Sequence, residues 1–99
     1  RVPVPDGSIT DFVCEVEKRV TREEINNLFR SVSQHELKGV VEYTEDPIVS
    51  ADIIHNSHSA IFDSLMTNVI GGNFVKVVAW YDNEWGYSCR MIDVIKLLL

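Results

Sequence analysis

Phe74-Val75-Lys76-Val77-Val78-Ala79-Trp80-Tyr81-Asp82-Asn83 holds the centre of a sheet and the start of a helix. Val75, Val77 and Ala79 alternate with Phe74, Val78 and Trp80, which share their side with Lys76. A strand apolar on nearly both faces belongs inside a covered sheet. Gly71-Gly72-Asn73 stands just before it. That turn joins Leu65–Ile70 to Phe74–Tyr81 as a hairpin, since glycine accepts the positive φ a tight connection needs. Neither a dinucleotide-type nor a Walker-type glycine pattern surrounds Gly71-Gly72, so the pair reads as a turn and not a phosphate loop. After Tyr81, Asp82 and Asn83 are good N-caps, and Tyr87, Met91, Val94 and Leu98 fall on one face of a closing helix. Ile92, Ile95, Leu97 and Leu99 lie off that stripe, so the helix needs covering on more than one side.

Working toward the N-terminus, Ser59 to Ile70 reads as mostly extended, despite Asp63-Ser64 in its middle, and Ile48-Val49-Ser50 as a short extended piece. Val40 to Tyr43 reads as a strand that Glu45-Asp46-Pro47 ends. Thr21-Arg22-Glu23-Glu24 is a capping box, and Val20 and Ile25 stand where a hydrophobic staple places them. Ile25, Leu28, Phe29 and Val32 follow at i, i+3, i+4, i+7, which predicts a helix to about Gln34 with His35 as a cation near its C-terminus. From Ile9 to Lys18, Thr10, Phe12, Cys14 and Val16 alternate with a mixed set, as in an antiparallel strand with one buried face. The whole is an α+β chain: a mixed or mostly antiparallel sheet of four or five short strands, one inserted helix and one closing helix.

The chain has 99 residues and a formal charge of −6, nine basic side chains against fifteen acidic. This is the scale of one small domain, or part of one, burying about 60–65% of its unfolded surface. Scattered Lys and Arg leave no nucleic-acid footprint, and no apolar run approaches the roughly 18 residues a membrane helix needs. Two cysteines and no leader-like N-terminus make a reducing, cytoplasmic setting the default expectation. Arg1 followed by the extended Val2-Pro3-Val4-Pro5 reads as the interior of a longer protein.

Few residues advertise chemistry on their own. Cys14 reads as a packed thiol, and Cys89 lies in the first turns of the closing helix with no histidine near it in sequence. Asp52, His55 and His58 have some metal-ligand character, but H-x-x-H without further spaced ligands reads as a polar loop, and no metal site is expected. Glu42, Glu45, Asp46 and Asp63 read as solvated surface.

Tyr81-Asp82-Asn83-Glu84-Trp85-Gly86-Tyr87-Ser88 is a far more specific string, and Arg1-Val2-Pro3, Leu37-Lys38-Gly39, Tyr43-Thr44-Glu45, Val49-Ser50, Asp52, His58-Ser59 and Phe62-Asp63 precede it in order. Together they resemble the C-terminal part of phosphorylating glyceraldehyde-3-phosphate dehydrogenases along the whole chain. The resemblance implies oxidation of D-glyceraldehyde 3-phosphate with NAD and inorganic phosphate to 1,3-bisphosphoglycerate, in a cytoplasmic homotetramer. An erythrose-4-phosphate dehydrogenase and a non-catalytic oligomerisation segment are the alternatives. It implies that residues 1–82 complete the catalytic domain and that 83–99 form a helix packed on an NAD-binding domain outside this segment. Nucleophile, base and dinucleotide motif fall upstream, so no catalytic residue is expected here and the segment alone is expected to be inactive, marginally stable or self-associating.

Two roles carry over from the resemblance. Arg1 becomes the candidate for binding substrate phosphate or inorganic phosphate, as a guanidinium fork suits. Asn83 becomes the candidate partner of the nicotinamide carboxamide, with Tyr87 beside the cofactor and Tyr81 near the active site. Read without the resemblance, Arg1 is a chain terminus and Asn83 a helix cap. Cys89 stands where the family usually has Asn, and a thiol does not replace an amide's hydrogen bonds.

Overall fold

The computed structural model describes all residues, Arg1–Leu99. Strands β1 (Ser8–Glu15), β2 (Val41–Thr44), β3 (Ala60–Asp63), β4 (Asn68–Ile70) and β5 (Phe74–Tyr81) form one sheet, with helices α1 (Arg22–Gln34) after β1 and α2 (Asn83–Leu98) after β5. The sheet order is β1-β5-β3-β2, with β4 also on β5. β1 runs antiparallel along all of β5, from Ser8 opposite Tyr81 to Glu15 opposite Phe74. The other edge of β5 is shared: Ile61 and Phe62 of β3 pair with Trp80 and Ala79, while β4 pairs with residues 74–76. β2 and β3 are parallel. The chain is thus α+β with a mixed sheet, as the apolar pattern implies.

The central strand is central because its partners leave neither edge open. Val75 and Val78 point to opposite faces, and both are buried. Gly71 and Gly72 take positive φ at the hairpin turn. The Arg19 guanidinium lies so close to Gly72 that a Cβ there would stand 2.8 Å from Nη2.

α1 starts as its cap dictates, with the Thr21 hydroxyl accepting from the Glu24 amide at 3.1 Å. The return half of the box differs: the Glu24 carboxylate accepts from the Thr21 hydroxyl, not the Thr21 amide. Arg22 then donates to the Thr67 and Ser64 carbonyls at 2.9 Å each, tying the helix to the β3–β4 connection. Phe29 stacks on Phe62 of β3 at 4.1 Å between ring centroids, and Tyr43 of β2 covers the same ring at 5.8 Å. The core is small: Ile53, Ile61, Phe62, Val75 and Val78 are its buried apolar residues.

Four sequence expectations change. The Thr10, Phe12 and Cys14 face of β1 is not buried; Phe12 is 55% exposed. α1 lies over β2 and β3, on the opposite side of β5 from β1, and leaves that face bare. Leu28 sits in the apolar stripe of α1 yet is exposed for want of a surface beneath it. Ile48-Val49-Ser50 is not a strand, because a 3-10 turn begins at Ser50, and Asp52 accepts from the Val49 amide at 2.8 Å. Ser59 to Ile70 is interrupted at Ser64–Met66 by a second 3-10 turn, which Asp63 caps at the Leu65 amide.

That last bond also overturns the reading of Asp63 as solvated surface. Asp63 is buried and accepts from the Trp80 indole at 2.9 Å, so the carboxylate keeps its partners when it leaves water.

The molecule exposes 7011 Å² and has a radius of gyration of 14.7 Å. A folded monomer of this mass exposes about 5,700 Å², and 99 residues pack to a radius of about 12.6 Å. The excess lies on β1 and on α2, where Tyr87, Met91, Ile92, Val94, Ile95 and the three closing leucines are all exposed. No helix is long and apolar enough to cross a membrane.

Candidate functional site

β5 turns into α2 at Asp82, and several hydrogen bonds converge on this corner. Asp82 is the N-cap of α2: its Oδ1 accepts from the Trp85 amide at 3.1 Å. Its Oδ2 accepts from the His55 amide at 2.8 Å. His55 holds φ at +63°, a strained value for a residue with a side chain, and its ring stacks on Trp85 at 4.3 Å. Asp82 itself is 1% exposed.

One turn further on, α2 meets the backbone that leads into β3. A Cβ on Gly86 would lie 2.8 Å from the His58 carbonyl oxygen, so only glycine allows the approach. Arg90 closes the contact by donating from Nη1 to Ser59 Oγ at 3.2 Å and from Nε to Asp93 at 2.9 Å.

Between these anchors lies a cleft of about 220 Å³ lined by Ser59, Tyr81, Asp82, Asn83, Gly86, Tyr87 and Arg90. It brings together three of the residues singled out from the sequence: Tyr81, Asn83 and Tyr87. Asn83 is exposed at its rim, and its amide forms no hydrogen bond within the chain, leaving two donors and an acceptor for a ligand. Arg1 does not line this cleft. It is exposed, makes no side-chain hydrogen bond or ion pair, and heads the segment that reaches the corner through Asp6. Cys89 is half-buried and free.

Arg90 and Ser59 are members of the site that the sequence did not flag. Arg90 follows Tyr87 at i+3, which puts the two on one helix face. Ser59 is 31 residues away from Arg90, and no local pattern connects them.

The histidine loop is deployed otherwise than as a metal centre. His55 packs on Trp85, Asp52 caps a 3-10 turn, and His58 Nδ1 lies 2.9 Å from Asn56 Oδ1 and 3.4 Å from Glu42. The largest cleft, about 620 Å³, is a shallow polar groove between α1 and β2 in which Arg30 pairs with Glu45 and the His58 ring lies 3.4 Å from Glu42. The corner at Asp82 is therefore the better site: it is smaller, but it offers an unpartnered amide on a rigid frame.

Burial pushes the Asp82 carboxyl up, but the His55 and Trp85 amides and a hydrogen bond from Asp6 outweigh it and hold it below the usual carboxylate range. Asp6 is raised, chiefly because its proton bridges to Asp82. The two therefore act in opposite pH windows. The bonds to Asp82 stabilise fully above the ordinary aspartate pKa and are lost as pH falls through its lowered value. The Asp6 proton bond is complete below the ordinary pKa and is lost as pH rises through the raised value of Asp6. Asp6→Asn, whose amide donates at every pH, is expected to match the wild type in thermal melts at low pH and exceed it near neutrality. Parallel curves would show that Asp6 does not share its proton.

A mixed sheet whose central strand runs straight into a helix, with a small cleft at the corner, defines an α+β domain that presents that helix start. Comparison with known proteins gives the class. The family model described as glyceraldehyde 3-phosphate dehydrogenase, C-terminal domain, matches residues 1–83. The chain is 54% identical over 94 residues to glyceraldehyde-3-phosphate dehydrogenase 2 of Streptomyces avermitilis, covering 95% of this chain and 28% of that protein. It is 54% identical over 101 residues to the glyceraldehyde-3-phosphate dehydrogenase of Borreliella burgdorferi, covering 100% of this chain and 30% of the relative. The Thermotoga maritima enzyme of the same name is 54% identical over 93 residues, 94% of this chain and 28% of its own length. The chain belongs to the glyceraldehyde 3-phosphate dehydrogenase family, as its C-terminal domain. It spans less than a third of the length of these relatives.

Proposed function

We propose that the chain is the closing part of a phosphorylating glyceraldehyde-3-phosphate dehydrogenase, one that converts D-glyceraldehyde 3-phosphate, NAD and inorganic phosphate to 1,3-bisphosphoglycerate and NADH. Residues 1–82 complete the catalytic domain, and 83–99 pack on the NAD-binding domain of a cytoplasmic homotetramer. The observation that carries this reading is the unpartnered amide of Asn83 at the rim of the cleft it shares with Tyr81 and Tyr87. The exposed apolar residues of α2 support the second half, since a helix bare on several sides is built for a surface outside these 99 residues.

The cofactor's part is to accept hydride from the substrate carbon. The residues present fit its nicotinamide end: a primary amide carries a donor and an acceptor side by side, and Asn83 matches both at once. Holding the carboxamide this way fixes which ring face receives the hydride. Tyr87 stands beside Asn83 in the lining of the same cleft. Arg1 supplies a two-pronged cation for a phosphate, free of competing partners within the chain. The nucleophile and base of the reaction lie outside the segment, which is inactive alone.

In the full-length dehydrogenase carrying this sequence, Asn83→Ala is expected to raise KM for NAD about tenfold, and Arg1→Leu to raise KM for the triose phosphate or for inorganic phosphate by a similar factor. Kinetics with erythrose 4-phosphate in parallel separate the triose enzyme from its tetrose relative. Unchanged constants in both variants would sink the assignment.

A further inference from the structure

Asn83 has no side-chain partner of its own, so its orientation is set by its backbone. That backbone is set by the residue before it. Asp82 clamps two segments at the corner: the His55 turn through Oδ2 and the first turn of α2 through Oδ1. Helix capping alone does not require this much. A serine or asparagine caps with one oxygen, and an exposed cap does as well as a buried one. A carboxylate 1% exposed, with each oxygen taking a backbone N–H from a different element, is an acceptor pair that no neutral side chain reproduces.

We infer that Asp82 is a positioning residue for the dehydrogenase reaction: its carboxylate locks the His55 turn to the start of α2, so that the Asn83 amide meets the nicotinamide carboxamide in one orientation. The inference rests on the proposed role of Asn83 and deepens it. The charged and titratable groups around Asp82 are Asp6 on the N-terminal segment, His55 on the turn and Glu84 on α2. None is a cation with a fixed contact, so the clamp is made of backbone N–H donors and is insensitive to salt. Pre-organisation of this kind strengthens binding without adding a ligand contact, because the backbone that carries the amide is fixed on folding and not on binding.

Asp82→Asn separates the two jobs of the carboxylate. Asparagine caps helices as well as aspartate does, so Trp85 keeps its acceptor, but the second position becomes an NH2 facing the His55 N–H. Asp82→Ser is a second capping variant, too short to reach both donors. In the full-length enzyme, three results are expected of each. Hydrogen exchange at the His55 amide accelerates in the cofactor-free protein while the β5 amides stay protected. The Kd for NAD by calorimetry rises about tenfold. A larger fraction of deuteride from labelled substrate arrives on the minor face of the nicotinamide ring. A change confined to folding lowers the amount of active enzyme and leaves face selectivity untouched.

Combining Asp82→Asn with Asn83→Ala is expected to do no more to NAD affinity than Asn83→Ala alone, since the clamp acts through that amide. Additive losses, or wild-type affinity and face selectivity in a folded Asp82→Asn protein with a freed His55 amide, overturn the inference and leave Asp82 a cap. If Asn83→Ala itself changes neither affinity nor face selectivity, the nicotinamide role of Asn83 is what fails.

Discussion

Phe62→Ala removes the cooperative unfolding transition, or brings its midpoint close to zero denaturant, when the chain is titrated with urea and followed by tryptophan fluorescence. Phe62 is 2% exposed and is held between Phe29 of α1 and Tyr43 of β2, so it joins the helix to the parallel pair at one point. Truncating a buried phenylalanine costs about 3–5 kcal/mol, and stacked rings add about 0.5–1.5 kcal/mol beyond their area. Native domains hold only about 5–15 kcal/mol in total, and a chain with five buried apolar residues sits low in that range. Leu28→Ala is the control. It removes an equally apolar residue of the same helical stripe, but an exposed one, and is expected to shift stability by no more than about 0.5 kcal/mol. Equal losses in the two variants would mean that the stripe, and not the contact with Phe62, holds α1 in place.

That contrast marks how far the sequence could be read. Local signals worked. The Thr21 cap, the Gly71-Gly72 turn and the N-cap at Asp82 each depend on residues within four positions of one another, the span of β5 on its own run of mostly apolar residues, and each stands where its chemistry requires. The misreadings share one cause, which is that burial depends on what lies opposite. Alternation in β1 is real, but it says nothing of whether α1 reaches that far across the sheet, and Phe12 stays bare. A helical stripe says which face turns inward and not how much of it finds a partner, so Phe29 and Leu28 look alike in sequence and differ in the fold. Asp63, and the second contact of Asp82, were opaque for the converse reason. A carboxylate reads as surface unless its donors are visible, and the Trp80 indole and the His55 amide lie 17 and 27 residues away. The residue types of the site were legible through the family string, but the clamp beneath Asn83 and the Ser59–Arg90 contact were not, because they are made between segments.

Gly86→Ala tests the approach of α2 to the sheet, and here two effects of opposite sign compete. In a free helix the change stabilises by about 1 kcal/mol, since alanine gives up less backbone freedom than glycine. In this fold the new Cβ stands 2.8 Å from the His58 carbonyl oxygen, 3.5 Å from its carbon and 3.7 Å from Ser59 Cα. All three neighbours are backbone, so no rotamer change relieves the contact; either the helix or the strand-entry segment must move. Overpacking of this kind costs about 1–3 kcal/mol, and the rigid neighbours put Gly86 at the upper end, for a net loss of about 2 kcal/mol. The movement also reaches the cleft. His58 and Ser59 are adjacent, so pushing α2 off His58 lengthens the bond from Arg90 to Ser59 Oγ and tilts the first turn that carries Asn83. A lower melting temperature together with weaker NAD binding in the full-length enzyme is the expected result. A Gly86→Ala protein about 1 kcal/mol more stable than the wild type would show that helix propensity prevails and that α2 does not depend on this contact for its place.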